Sequence, residues 1–199
     1  MVLNTIPSSE GGDFKPHPKG PVLARCVHVI DLGERVSEWQ GLTSLKPGIQ
    51  FIFYTGVKKE NGEPFLLTSR EFTNSMGDKA NLRRFLEQWR GAAYTAEQVK
   101  KPIDLARLVG QPCQLTIDHG TSKKGRLYAT IAAISPVLPQ VLEQVPAIPQ
   151  PVPAIPQYVL DRVAQYAVEA AEYRERIGMN DTTNQAGDGT TDGDDDLPF

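Results

Sequence analysis

Short stretches that alternate apolar and polar residues recur along residues 19–138, and this alternation most constrains the fold. Alternation with a period of two, rich in β-branched and aromatic residues, is typical of half-buried β-strands. The pattern predicts five strands: "VLARCVHVIDLG", "IQFIFYTGV", residues 65–73, "PCQLTIDHG" and "GRLYATIAAIS". So many short strands favour a mainly β barrel.

One amphipathic helix separates the third predicted strand from the fourth. The sequence "DKANLRRFLEQWRG" has one apolar face for core packing, formed by Leu82, Phe85, Leu86 and Trp89. Ser75, three residues before Asp78, predicts an N-terminal cap, and Gly91 suits the helix end. Shorter helical pieces are expected after Thr95 and Asp104. The order β-β-β-α-β-β matches the five-stranded Greek-key barrel called the OB-fold; an SH3-like barrel needs no such helix.

The connections and the strand faces complete this expected barrel. Polar residues predict a loop at "ERVSEWQGLTSLKPG", Asn61-Gly62 predicts a hairpin turn, and "HGTSKKGR" predicts the loop between the last two strands. In the second strand, Phe51 and Phe53 share one face, and Ile52 and Tyr54 share the other. We assign the two phenylalanines to the core and Tyr54 to the outside, because tyrosine tolerates a wet rim better.

Composition divides the rest of the chain into four segments. Residues 1–18 are expected to form a flexible arm. Prolines dominate residues 139–157, where "VPAIPQ" occurs twice, and predict an extended, semi-rigid linker. Residues 158–177 predict an amphipathic helix with the stripe Val159, Val163, Tyr166, Ala170 and Tyr173. This stripe can pair with a second copy or pack on the body, and we expect self-association. Residues 178–199 predict a disordered acidic tail.

The sequence contains no complete signature of catalysis, metal binding or membrane insertion. It contains no phosphate-binding loop, CxxC or HExxH motif, so we expect no enzyme and no cofactor. Cys26 and His28 are two residues apart and could both bind a metal, but a zinc site needs about four ligands and only these two are found. Cys26 and Cys113 are expected to be reduced core residues. Asp192, Asp194 and Asp196 lack the rest of a calcium loop. Without an apolar leader or a span of about 20 apolar residues, a cytoplasmic protein without membrane partners is expected.

Charge is distributed unevenly along the chain. Residues 19–126 contain 17 Lys and Arg against 11 Asp and Glu, whereas residues 178–199 contain six Asp and no base. A basic body favours a polyanionic partner. On an OB-fold, aromatic rings stack on unpaired bases and cations follow the phosphates. The residues that we expect to bind single-stranded DNA are Trp39, Lys46, Tyr54, Lys58, Lys59, Arg70, Phe72, Lys123, Lys124, Arg126 and Tyr128.

Four stretches resemble phage-encoded single-stranded DNA-binding proteins with an OB-fold: "LARCVHVIDLG", "REFTNSMGDKANLRRFLEQWRG", "DLARLVGQPCQLTIDHG" and "GRLYATIAAISP". The resemblance covers about residues 20–137. Separately, "DGDDDLPF" resembles the acidic tip of bacterial single-stranded DNA-binding proteins, which docks on replication, recombination and repair enzymes. The resemblance assigns that docking to Asp194, Asp195, Asp196, Leu197, Pro198 and Phe199. Where bacterial members have a Gly/Gln-rich linker, this chain has a Pro-rich segment and a helix.

Together these features predict a non-enzymatic, sequence-tolerant single-stranded DNA-binding protein of phage DNA replication, recombination or repair. Its barrel would hold the strand in the host bacterial cytoplasm, and its tip would recruit host or phage enzymes. The alternative is a protein-interaction module that competes for host enzymes through its acidic tail.

Overall fold

A computed structural model describes residues 15–178 of the chain. Six antiparallel strands form one curled sheet in the order β3-β2-β1-β5-β6, with β4 paired to β2. Their bounds are β1 Gly20–Trp39, β2 Leu42–Lys58, β3 Pro64–Thr68, β4 Phe72–Thr73, β5 Pro112–Thr121 and β6 Leu127–Ser135. The helices are α1 Asn81–Arg90, α2 Ala96–Val99 and α3 Gln157–Arg176, with short 3₁₀ helices at Leu105–Leu108 and Pro139–Gln144. The chain is thus mainly β, a curled half-barrel with a C-terminal helix, which is compatible with an OB-like fold.

The predicted loop between the first two strands is a continuation of both strands. β1 and β2 remain paired beyond two bulges as far as Trp39 and Leu42. Between them Gln40 and Gly41 both have positive φ, 51° and 76°. A two-residue turn with both φ positive matches the right-handed twist of a hairpin. The prediction of a loop was wrong because Gln-Gly is a weaker turn signal than Asn-Gly and the polar residues hid the pairing.

The third predicted strand is interrupted in the middle. β3 ends at Thr68 and β4 begins at Phe72, and Ser69 lies between them with a buried side chain. The Gln50 side chain donates to the Ser69 carbonyl at 2.7 Å, and the Ser69 hydroxyl accepts from the Phe51 amide at 3.0 Å. These bonds satisfy polar groups at the break, so the chain can leave the ladder without exposing unpaired groups to a dry interior.

The inner face of the sheet packs against α1. Phe51 and Phe53 are both buried there, as the alternation predicted. The Phe51 ring lies 5.4 Å from the Phe85 ring and 6.0 Å from the Trp89 ring. The buried face of α1 consists of the four predicted residues, Leu82, Phe85, Leu86 and Trp89.

The helix ends show one prediction to be wrong and three to be correct. The N-cap of α1 is Ala80, without a side-chain cap, whereas the Ser75 hydroxyl accepts from the Gly77 amide in the preceding turn. Gly91 follows α1 with φ 71°, a left-handed conformation that glycine adopts without strain. Thr95 caps α2, and Asp104 caps the 3₁₀ helix at Leu105–Leu108.

The outer face of the sheet is covered by the segment that follows the body. Val27, Ile30, Leu32, Ile52 and Tyr54 form a second apolar cluster with Val159 of α3. Ile148 and Ile155 of the Pro-rich segment pack on the same cluster. The stripe that suggested self-association therefore faces the sheet of its own chain, and the Pro-rich segment lies on the body rather than holding α3 away from it.

The two cysteines are buried free thiols. Cys26 lies in the inner core, whereas a bulge places the His28 ring at the outer segment, with Nε2 2.7 Å from the Pro153 carbonyl. Burial raises the pKa of the Cys26 thiol to about 12. Burial, with a contribution from Cys26, also raises the pKa of Cys113 well above its ordinary value. Both thiols are therefore protonated and unreactive at neutral pH.

Among the helices between residues 15 and 178, none combines the length and apolar character that crossing a bilayer requires.

Candidate nucleic-acid interface

A groove of about 670 Å³ runs beside β3, between the start of β6 and the Pro-rich segment. One side is formed by residues 63–68, and the other by residues 153–156 together with Tyr158 of α3. Tyr128 and Ala129 of β6 complete the wall, and His17 and Pro16 lie at one end. The volume is that of a typical ligand site, and most of the lining is apolar.

Three aromatic rings from three different elements line this groove: Phe65 of β3, Tyr128 of β6 and Tyr158 of α3. Tyr128 is 45% exposed and Tyr158 is 52% exposed. Rings that are exposed on a concave surface can stack on flat ligands, and nucleobases are such ligands. Phe65 is held in place by an edge-to-face contact with the His17 ring, with centroids 5.5 Å apart.

Gly120 allows the Tyr128 ring to lie close to the sheet. The two residues are cross-strand partners on β5 and β6. A Cβ atom on residue 120 would lie 2.7 Å from Cζ and 2.8 Å from the hydroxyl oxygen of Tyr128. Non-bonded heavy atoms do not approach so closely, so any side chain here would displace the ring. The ring can occupy this position because residue 120 has no side chain, whereas the backbone conformation of Gly120 is one that any residue could adopt.

Cations occur in the groove lining and in the β5–β6 turn next to it in the chain. Lys59 lines it, and its ammonium lies 3.0 Å from the Glu63 carboxylate. The hydrogen bond from Lys59 lowers the pKa of Glu63, with a smaller contribution from Asn61. Lys58 is exposed beside it. Exposed Lys123, Lys124 and Arg126 occupy the turn between β5 and β6, immediately before Tyr128.

The end of the N-terminal arm closes one end of the groove. His17 is buried, with Nε2 3.0 Å from the Thr55 hydroxyl, and the His119 Nε2 lies 2.8 Å from the His17 carbonyl. These bonds attach residues 15–18, assigned to the flexible arm, to the body. Residues 1–14 of the arm lie outside the described residues.

The predicted DNA-binding residues fall into three groups. Tyr128 and Lys59 come together in the groove lining, while Lys58 and the cations of the β5–β6 turn, Lys123, Lys124 and Arg126, are exposed next to them in the chain. Tyr54 and Phe72 are 8% and 1% exposed, so neither ring is accessible to a base in this structure. Tyr54 does point outward as expected, but the helix and the Pro-rich segment cover it. Phe72 belongs to the inner core because the break before β4 turns its side chain toward α1.

The remaining predicted residues lie away from the lining. Lys46 is half-buried on the long β1–β2 hairpin, opposite Arg35. Arg70 is exposed at the break before β4, with its guanidinium 5.2 Å from the Phe72 ring centroid. Trp39 ends β1, and its side chain is not described. The tail residues Asp194, Asp195, Asp196, Leu197, Pro198 and Phe199 lie outside the described residues.

Several groove residues were not predicted from the sequence. Tyr158 was assigned to a helix separated from the body by a spacer, and Pro153 and Pro156 to that spacer. The repeated prolines were the one sequence signal for this wall. A run of apolar residues with a rigid backbone can form a groove wall as readily as a linker, so the signal did not distinguish the two. Between residues 15 and 178, no group of three or more His, Cys, Asp or Glu is arranged to hold a metal ion.

No protein-family model and no curated protein matches this chain. The resemblance to single-stranded DNA-binding proteins therefore stays a prediction from the sequence. Function has to be inferred from the groove, its rings and the cations around it.

Proposed function

We propose that the protein binds single-stranded DNA, without sequence preference and without catalysis, in the groove beside β3. The convergence of Phe65, Tyr128 and Tyr158 next to a cluster of cations carries the proposal. Stacking on rings requires unpaired bases, and cations attract the phosphates, so the two features together select a single strand.

The strand order supports an OB-fold as the basis of this site. If β3 and β4 are counted as one interrupted strand, five strands remain, and α1 follows the third of them. In an OB-fold, oligonucleotides bind near strands 2 and 3 and the loops that flank them. The groove lies at β3 and beside the turn between the last two strands, which is one of those loops.

The biological setting that we propose is the replication, recombination or repair of phage DNA. The barrel would protect the strand, and the acidic tip, residues 194–199, would recruit enzymes. This assignment depends on the sequence resemblance and on the charge difference between body and tail.

Fluorescence anisotropy with a labelled oligothymidine tests the proposal. We expect binding that is tighter than binding to duplex DNA of equal length, and that weakens as salt is raised because counterions are released. Affinity no better than for duplex DNA, or affinity independent of salt, would contradict it.

A matched pair of triple variants locates the site. Replacing Lys123, Lys124 and Arg126 by alanine should reduce affinity and lower the salt slope, since phosphate contacts are lost. Replacing Arg84, Lys100 and Lys101 removes the same charge from α1 and the end of α2. The α1 helix packs near the start of β5, where the Trp89 Nε1 donates to the Pro112 carbonyl. The turn with Lys123, Lys124 and Arg126 follows the opposite end of β5. The control variant should bind as the unmodified protein does.

The alternative, a protein-interaction module, would use the same apolar groove for a peptide. It would be favoured if oligothymidine failed to bind while the full chain captured repair enzymes after nuclease treatment.

Equal loss of affinity in both triple variants would indicate general electrostatic attraction rather than a site.

A further inference from the structure

The first turn of α3 places two neighbouring side chains in opposite environments. Val159 is 1% exposed and packs on the outer face of the sheet, whereas the Tyr158 ring faces the groove. The Tyr158 hydroxyl donates to the Thr68 hydroxyl at 3.1 Å. This bond attaches the tip of the ring to β3 and leaves its faces to the groove. The ring is therefore oriented before any ligand arrives, which lowers the entropic cost of binding.

The Pro-rich segment beside Tyr158 is fixed to the body by bonds to its backbone carbonyls. The Arg25 Nε donates to the Pro146 carbonyl at 3.0 Å, and His28 Nε2 lies 2.7 Å from the Pro153 carbonyl. Pro153 and Pro156 have no backbone N–H. The prolines thus present carbon surface to the groove, while the Pro153 carbonyl is turned toward the sheet.

The two long walls of the groove differ in charge. Residues 153–158, "PAIPQY", contain no charged side chain. On the strand side Lys59 lines the groove as an ion pair with Glu63, and the cations at 123, 124 and 126 lie in the turn that precedes Tyr128. A ligand that matches this arrangement is anionic along one edge and flat and apolar along the other. A single nucleic-acid strand has that form, whereas the bases of a duplex are stacked in its interior.

We propose that residues 153–158 form the base-side wall of the binding groove and that Tyr158 stacks on a base, with phosphates toward the cations of the β5–β6 turn. This inference rests on the proposed function, and it gives the appended segment a direct part in binding the strand. Since the wall is complete only when α3 is docked, strand binding and docking of α3 stabilise each other.

Point variants of the full chain test this arrangement with labelled oligothymidine. Tyr158→Ala should weaken binding about 5- to 150-fold, the range for loss of one stacked base. Tyr158→Phe keeps the ring and should stay within about threefold. Leu160→Ala changes an exposed residue of the same helix outside the groove lining and should leave affinity unchanged. The salt slope of Tyr158→Ala should equal that of the unmodified protein, because no phosphate contact is lost.

A photocrosslink makes the test independent of folding effects in the alanine variant. Oligothymidine carrying 5-iododeoxyuridine should crosslink the unmodified protein at Tyr158, as mapped by mass spectrometry. If the unmodified protein binds oligothymidine while Tyr158→Ala binds equally well, or if crosslinks map only to β3 and the β5–β6 turn, this inference falls and the proposed function stands. If the unmodified protein does not bind oligothymidine, both fall.

Discussion

The two faces of the sheet are both covered, but by different parts of the chain and by different interactions. The inner face is filled by α1, and its contacts are between aromatic rings such as Phe51, Phe85 and Trp89. The outer face is covered by the Pro-rich segment and α3. Its apolar contacts are mostly aliphatic, with Tyr54 and Tyr166 among them, and polar bonds are added to them.

Glu71 is the centre of the polar bonds on the outer face. Its carboxylate accepts from Arg35 at 2.9 Å, from Arg162 at 2.8 Å and from the Tyr166 hydroxyl at 2.7 Å. Arg174 bonds to Glu34 farther along α3. The inner face is therefore held by apolar burial, whereas the outer face is held by burial and charge together. Binding at the groove depends on the outer face, because Tyr158 belongs to α3, which is held there by burial and charge together.

The largest expected effect is on the inner face. Phe51→Ala removes a fully buried ring that contacts four other rings, and it should lower the free energy of unfolding by about 3–5 kcal/mol. Urea unfolding measures this change. The control Tyr128→Ala removes an exposed ring and should cost much less. A similar loss in both variants would show that the inner core is not the main source of stability.

A smaller effect is expected where α3 meets the outer face. Val159→Ala should lower the free energy of unfolding by about 2 kcal/mol, because two buried carbons are lost and a cavity remains. Val168→Ala removes the same atoms from an exposed position on the same helix and should change stability by less than about 0.5 kcal/mol. If Val159→Ala leaves the urea midpoint unchanged, α3 does not unfold together with the sheet.

The ionic part of the outer face should respond to pH. Burial raises the pKa of Glu71, but hydrogen bonds from Arg162 and Tyr166 and the charges of Arg162 and Arg35 outweigh burial, so its pKa lies below the ordinary value. A lowered folded-state pKa contributes stability that is present above the ordinary value, about 4.3, and is lost as pH falls through the folded value. Glu71→Gln should cost about 1–2 kcal/mol at pH 7.

Urea unfolding of Glu71→Gln at several pH values checks this expectation. The difference from the unmodified protein should shrink as pH falls through the lowered pKa of folded Glu71, where the carboxylate becomes protonated. Glu172→Gln, on the exposed side of α3, provides the control and should show little difference at any pH. A difference for Glu71→Gln that is independent of pH would mean that the carboxylate acts through its shape rather than its charge.

The smallest effect on stability is expected at the groove itself. Gly120→Ala should change the free energy of unfolding by less than about 1 kcal/mol, because the Tyr128 ring that it meets is exposed and can swing away. The same displacement should weaken oligothymidine binding several-fold. Gly125→Ala, in the turn and with open space around its Cβ, would test backbone strain alone, since its φ is 76°. Unchanged affinity in Gly120→Ala would remove Tyr128 from the site.

The inner face could be predicted well because its signal is local. The alternation in β2 assigns Phe51 and Phe53 to the core, and the three- and four-residue spacing in α1 identifies its buried side. The groove was predicted only in part. Lys59 and Tyr128 were found from residue type and position. Tyr54 was given the correct face, but the sequence does not reveal the segment that covers it, and Phe72 faces the inner core because the strand is interrupted before it. Whether an outward-facing side chain meets water depends on what else packs there.

Local sequence patterns are sufficient for the strand-rich body, the helix α1 with its apolar face, the caps at Thr95 and Asp104, and the helical character of residues 158–177. These features follow from periodicity and from short-range hydrogen bonds, which extend over a few residues. The folding back of the Pro-rich segment and α3 on the sheet, the covering of Tyr54 and the contact of Tyr158 with Thr68 follow from long-range packing alone. Such contacts join residues about 90 positions apart, as between Thr68 and Tyr158. Apolar burial that creates them is not directional, so a stripe of apolar residues does not specify its partner.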